Sequence, residues 1–80
     1  MDMEGRVRQF ITGNFYVADA STLTPETSLL DSGIVDSTGV LEIIAFIEGE
    51  LGVTVADDEM TPENLDSIGK IAHFVARKKS

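Results

Sequence analysis

The segment that decides the fold is residues 36–52, which read DSTGVLEIIAFIEGELG. At about 100° per residue its apolar side chains share one broad arc, which comprises Val40, Leu41, Ile43, Ile44, Ile47 and Leu51. Asp36 is a strong N-cap candidate, and Gly52 stands where helices commonly end. The pattern therefore predicts a helix that starts just after Asp36. Phe46 falls outside the arc, so it either packs on the preceding loop or offers an exposed apolar side chain.

Further helices are expected on both sides of this segment. A first helix, from about Asp2 to residues 13–14, is predicted by apolar side chains at Met3, Val7, Phe10 and Ile11, and its glycine and asparagine allow a left-handed stop. A last helix, capped by Asp66 or Ser67, is predicted by Ile68, Ile71, Ala72 and Val75. The acidic stretch 55–65, interrupted by Pro62, has room for one or two helical turns. No alternating strand pattern competes, so the predicted fold class is all-α, a small four-helix bundle with three longer helices and a short one.

A long loop is expected between the first and second helices. Residues 15–35 show no sustained period, and leucine and isoleucine side chains are spaced as anchors onto a core, at Leu23, Leu29, Leu30 and Ile34. A loop of about 20 residues is uncommon in a compact domain and is more often functional than idle. A short helical turn around residues 24–26 is the alternative.

The charge is unevenly distributed along the chain. The net charge is −8, and residues 9–69 contain 12 acidic side chains and no lysine or arginine. Nucleic-acid binding needs a basic face, so the body of the domain is not expected to bind nucleic acid. An acidic field favours association with basic partner surfaces, although it also keeps a small protein soluble. With 80 residues, no cysteine and no long apolar run, the expectation is one domain, a cytoplasmic monomer with no membrane span.

Most kinds of chemistry are excluded by the residues present. The only histidine, His73, is predicted on the last helix, and no nucleophile elbow surrounds Ser37, so a serine hydrolase is disfavoured. An EF-hand loop begun at Asp57 would place Pro62 where glycine is required, so no metal site is expected. What remains is Asp36 followed by Ser37 at a helix start. This pair is either a plain capped helix or a modified serine whose phosphodiester the helix N-terminus would stabilise.

The stretch from Ser28 to Ser37, SLLDSGIVDS, resembles the segment that leads to the modified serine of the acyl carrier protein family. The similarity continues through the second helix and the turn after it, at Val40, Glu42, Ile43, Ile47, Glu48, Leu51 and Val55. Residues 23–26 resemble that family's loop anchor, and residues 57–59 its acidic third-helix region. The resemblance covers most of the chain and identifies residues 1–80 as a single acyl carrier domain.

The resemblance implies that Ser37 receives 4′-phosphopantetheine from coenzyme A through a phosphopantetheinyl transferase that uses magnesium, with Asp36 and Thr38 flanking the site. The protein itself would catalyse nothing. It would carry acyl or aminoacyl intermediates as thioesters and present them to enzymes of fatty acid, polyketide or related biosynthesis. The implied partners are a loading ligase and acyltransferases or synthases with basic docking surfaces. The docking face of the second helix would contain Glu42, Ala45 and Glu48.

Departures from the family pattern point toward one branch of it. Thr38 stands where leucine is usual, Gly39 where an acid is frequent, and Ala45 where fatty-acid carriers place a larger side chain. This start is more similar to discrete carriers served by adenylate-forming ligases, including the D-alanyl carriers. The alternatives are therefore an aminoacyl or peptidyl carrier, a carrier-like interaction module that is never modified, and, least supported, a small hydrolase.

Overall fold

The computed structural model describes residues 2–79, which form four α-helices joined by loops that contain two short 3₁₀ turns. The helices are α1 (Met3–Asn14), α2 (Ser37–Glu50), α3 (Pro62–Leu65) and α4 (Ile68–Lys79), and the turns are Ala20–Thr22 and Asp57–Glu59. Within residues 2–79 there is no strand. The structure thus confirms the predicted all-α bundle with three longer helices, a short one and a long loop after α1.

The helix ends agree with the sequence at α2 and differ at α1. Gly52 adopts a positive φ of 69° directly after α2, as its position predicted. The left-handed stop predicted at residues 13–14 is wrong, because no residue there has positive φ. Instead α1 ends where Phe15 becomes extended, at φ −127°. At α4, Ser67 is the cap, since its Oγ accepts a hydrogen bond from Lys70 N at 3.1 Å.

The core is built where α4 meets the other elements. α4 packs against both α1 and α3. The core side chains that are almost fully buried are Val7, Ile11, Leu29, Val35, Ile43, Ile47, Ile68, Ile71, Phe74 and Val75. Phe74 was absent from the predicted face of α4, although it is the largest of these side chains. A domain of this size depends heavily on such a small set of buried groups.

The structure divides the apolar residues of α2 differently from the predicted arc. Leu41 is 64% exposed, so its assignment to the core-facing arc is wrong. Phe46 is partly buried and stacks on Phe10 of α1, with ring centroids 4.2 Å apart and an interplanar angle of 13°. Its partner is therefore α1 rather than the long loop. Phe10 also meets Phe15 edge-on at 6.0 Å, which extends the aromatic cluster to the start of the loop.

Two of the four expected anchors are buried in the core and attach the long loop to it. Leu23 and Leu29 are buried as predicted, whereas Leu30 is 37% exposed and Ile34 only half-buried. The helical turn falls at residues 20–22 rather than 24–26. Arg8 of α1 fixes this turn, because its guanidinium donates to the backbone carbonyl of Ala20 at 2.6 Å and also to that of Leu23.

Candidate functional site

Ser37 is the first residue of α2 and is exposed to solvent, as is Thr38. The Asp36 side chain caps the helix by accepting a hydrogen bond from Gly39 N at 2.7 Å, which confirms its predicted role as N-cap. No acidic residue occupies the first turn of α2. The first turn of α2 therefore adds no negative charge of its own beyond the cap, and its free N–H groups are suited to an esterified phosphate.

Gly39 allows the loop to pack directly on the first turn of α2. It is buried, and a Cβ there would lie 2.8 Å from the Phe15 ring and 3.0 Å from a methyl group of Val35. Both distances are shorter than ordinary van der Waals contact, so only glycine fits without a shift. This packing role of Gly39 was not predictable, because the sequence around residue 39 does not indicate that the Phe15 ring lies against it.

An apolar cavity of about 210 Å³ lies beside Ser37, between the start of α2 and α3. Its walls come from three separate segments, and the lining residues are Leu30, Ser37, Val40, Met60, Thr61, Pro62, Leu65 and Asp66. Leu30 and Met60 are each more than a third exposed at this position. Apolar side chains that stay partly open next to an exposed hydroxyl provide a place where a short apolar group attached nearby can leave water.

The predicted docking residues lie on the outer face of α2. Glu42, Ala45 and Glu48 are all exposed, and Leu41 shares this face with them. Glu48 has an additional structural contact, since its Oε2 accepts a hydrogen bond from Val55 N at 3.0 Å and so ties the following segment to α2. The docking role of these residues stays a prediction.

Other polar residues singled out by the sequence lie away from Ser37. His73 is exposed on α4. Glu59 accepts from Ala56 N at 2.9 Å and pairs with Lys78 at 2.8 Å. The Lys78 ammonium is the main cause that holds the pKa of the Glu59 carboxyl below its ordinary value, and the hydrogen bond from the backbone N–H of Ala56 lowers this pKa further. Among residues 2–79 no cluster of three or more His, Cys, Asp or Glu side chains could hold a metal ion.

An all-helical domain whose second helix begins at an exposed serine beside an apolar cavity has the architecture of a small carrier domain. Comparison with known proteins identifies the family. The family model described as "Phosphopantetheine attachment site" matches residues 6–75, and the chain belongs to this family. Its members are carrier domains without catalytic activity and bear covalently attached 4′-phosphopantetheine, so the chain is a carrier and not an enzyme.

Three relatives indicate the range of carriers that this chain resembles. It is 36% identical over 55 residues to the D-alanyl carrier protein of Bacillus pumilus (strain SAFR-032), covering 69% of this chain and 70% of the relative. It is 24% identical over 78 residues to the probable acyl carrier protein PigG of Serratia sp. (strain ATCC 39006), covering 98% and 90%.

The third relative is a chain in a solved crystal structure, that of the Bradyrhizobium japonicum glycine:[carrier protein] ligase complexed with its cognate carrier protein and an analogue of glycyl adenylate. The match has a TM-score of 0.68 and 27% identity, and it covers 92% of this chain and 91% of the matched chain. Within the part of this chain that the structure describes, no helix combines the length and the apolar character needed to cross a bilayer.

Proposed function

We propose that Ser37 is the attachment residue for 4′-phosphopantetheine and that the chain carries a small aminoacyl group loaded by an adenylate-forming ligase. The observation that carries this proposal is the position of Ser37, exposed as the first residue of a capped helix and bordering an apolar cavity. When attached, the arm supplies a thiol on which the cargo is held as a thioester. Asp36 keeps the first turn of α2 formed, and Ser37 and Thr38 present hydroxyl groups to the modifying enzyme.

The relatives support an aminoacyl cargo. One is named as a carrier of D-alanine, and another was solved with a glycine ligase and an analogue of glycyl adenylate. A cavity of about 210 Å³ beside Ser37 suits a small cargo better than a long chain. The second candidate is an acyl carrier of fatty acid, polyketide or related biosynthesis, which the similarity to the probable acyl carrier protein PigG favours.

The outer face of α2 is the surface on which partners would dock. Glu42 and Glu48 give it negative charge, while Ala45 keeps its middle flat. Leu41 adds an exposed apolar side chain about one turn from Ser37. A partner that presents lysine or arginine around an apolar patch would match this arrangement, and transferases, ligases and synthases with basic docking surfaces are of this kind.

The attachment residue is tested by incubating the apo protein with a phosphopantetheinyl transferase, magnesium and coenzyme A. Intact mass should show one arm on the wild type and none on Ser37→Ala. Thr38→Ala is the matched control, because it removes the other hydroxyl of the same turn but leaves the one that is esterified, so it should still accept one arm. Modification of Ser37→Ala to the wild-type extent would refute the assignment. A wild type that accepts no arm would favour the unmodified interaction module.

The cargo class is tested on the holo protein. We expect a mass increase of one aminoacyl group with ATP, an amino acid and either a D-alanine or a glycine carrier ligase. Failure with both ligases, combined with efficient loading by an acyltransferase from an acyl-coenzyme A, would support the acyl carrier of the second candidate instead.

A further inference from the structure

Asp66, at the junction of α3 and α4, holds the loop that leads to Ser37. Its carboxylate accepts from Ser28 Oγ at 2.6 Å and from Leu30 N at 2.9 Å. Its backbone carbonyl accepts from Leu29 N at 2.7 Å. Three consecutive loop residues therefore donate to one residue far along the chain, a contact we call the Asp66 clamp. The two bonds to the carboxylate are charge-assisted, which makes them stronger than neutral ones.

The segment held by the clamp is a closed turn that ends next to α2. Inside residues 28–35, Ser32 N donates to the Ser28 carbonyl at 3.0 Å, and Val35 N donates to the Leu29 carbonyl at 3.0 Å. The turn includes Gly33 at a φ of 80°. Because Val35 directly precedes the cap of α2, the clamp fixes the start of that helix relative to α3 and α4.

The clamp also determines one wall of the cavity beside Ser37. Leu30 and Asp66 both line this cavity, and Leu30 is bonded to Asp66 through its backbone N–H. The backbone of Leu30 cannot move away from α3 unless this bond breaks. Breaking it would open the cavity toward the loop, on the side lined by the partly exposed Leu30 side chain.

We propose that Asp66 is a positioning residue that keeps Leu30 as a closed wall of the cavity and thereby limits the size of cargo sheltered there. The proposal rests on the proposed function, since cargo reaches the cavity from an arm on Ser37. With the clamp closed, the cavity admits only short groups. With the clamp open, a longer chain can enter between α2 and the loop.

The clamp itself is tested on the apo protein by amide hydrogen exchange. Asp66→Ala removes both side-chain acceptors, so Leu30 N should exchange about tenfold faster or more. Asp66→Asn should lie between this variant and the wild type, because its amide can accept from Leu30 N and donate to Ser28 Oγ. The control Glu63→Gln removes one acidic charge at an exposed position of α3 and leaves the Asp66 clamp intact, so Leu30 exchange should stay unchanged.

Unchanged Leu30 exchange in Asp66→Ala would overturn the clamp. If that variant fails to fold, Ser28→Ala, which removes one bond of the clamp, and Asp66→Asn decide the matter. Both must then accelerate Leu30 exchange relative to Glu63→Gln, and wild-type exchange in both would overturn the proposal. This measurement needs no arm, so its outcome does not depend on the proposed function.

The cargo limit is tested on holo proteins that carry acetyl, butyryl, hexanoyl or octanoyl groups, installed from the acyl-coenzyme A by a phosphopantetheinyl transferase. The measured quantity is the rate of thioester cleavage by hydroxylamine. In the wild type and Glu63→Gln the longer chains, which the closed cavity excludes, should be cleaved severalfold faster than acetyl. In Asp66→Ala this difference should shrink because the longer chains are sheltered as well, with Asp66→Asn intermediate.

Identical chain-length dependence in Asp66→Ala and wild type would overturn the cargo limit, even where Leu30 exchange is accelerated. A purely structural role for Asp66 would change stability without changing this dependence. Failure of every protein, including wild type, to accept an arm would overturn the cargo limit together with the proposed function. Accelerated Leu30 exchange with no change in the thioester cleavage rates would therefore show that Asp66 holds the loop but does not set the size of the cargo.

Discussion

Replacing Ile47 by alanine should destabilise the domain strongly. The side chain is 0% exposed at the middle of α2, and truncating a fully buried isoleucine costs about 2–5 kcal/mol. Stability of about 0.05–0.15 kcal/mol per residue gives an 80-residue domain roughly 4–12 kcal/mol, so this loss is a large fraction of the total. In a domain of 60–100 residues each kcal/mol lowers Tm by about 4–8 °C, so the midpoint should fall by roughly 10 °C or more.

Leu41→Ala is the matched control, because it makes a similar truncation on the same helix at a side chain that is 64% exposed. Its effect should stay within about 0.5 kcal/mol of zero. The chain has no tryptophan, so unfolding is best followed in urea by far-ultraviolet circular dichroism. Similar losses for Leu41→Ala and Ile47→Ala, or a loss of only a few tenths at Ile47, would refute this account of which face α2 buries.

Three other features can be tested by substitution: the close packing at Gly39, the negative charge of Glu42 and the ion pair of Glu59. Gly39→Ala should destabilise the domain because its Cβ would meet a ring atom at 2.8 Å, whereas Gly49→Ala, with no atom within 4 Å, should stabilise it by about 0.5–1 kcal/mol, both measured by urea unfolding. Glu42→Lys should slow association with a loading ligase and flatten its salt dependence, unlike Glu63→Lys, which makes the same charge change on α3; equal association rates across a salt series would exclude electrostatic steering by α2. The lowered pKa of Glu59 means that its ion pair stabilises the fold above the ordinary glutamate pKa, and this contribution disappears as the pH falls through the folded-state value; urea midpoints of Glu59→Gln should therefore depend less on acidic pH than those of wild type.

The sequence was sufficient to predict α2 and its cap because both depend on local patterns. Asp36, the apolar spacing and Gly52 lie within one segment. The structure has Asp36 and Gly52 in their predicted roles and buries most of the predicted arc. The burial of Phe46 and the exposure of Leu41 were not predictable in this way. Phe46 is covered because α1 supplies Phe10, and the spacing within α2 contains no information about where α1 lies. Leu41, which the spacing assigned to the arc, remains exposed.

In the candidate site, too, only the features that depend on adjacent residues were predictable from the sequence. The location of Ser37 at a helix start was predictable from adjacent residues. The cavity beside it was not, because Leu30 and Met60 come from segments widely separated in the chain. Asp66 and Ser67 were equally good caps for α4 on local grounds. Only the folded chain distinguishes them, because Ser28 and Leu30 approach Asp66 and leave Ser67 to cap the helix.

The packing of α1 on α4 determines how this chain can fold during its synthesis. The buried face of α1, formed by Val7 and Ile11, leaves the ribosome long before Phe74 and Val75 are joined to the chain. Because N-terminal segments emerge first but a small core needs all of its members, the nascent chain stays open until α4 has cleared the exit tunnel. A ribosome stalled before residue 68 would therefore hold α1 without its α4 partner, and the core could form only after α4 has left the exit tunnel.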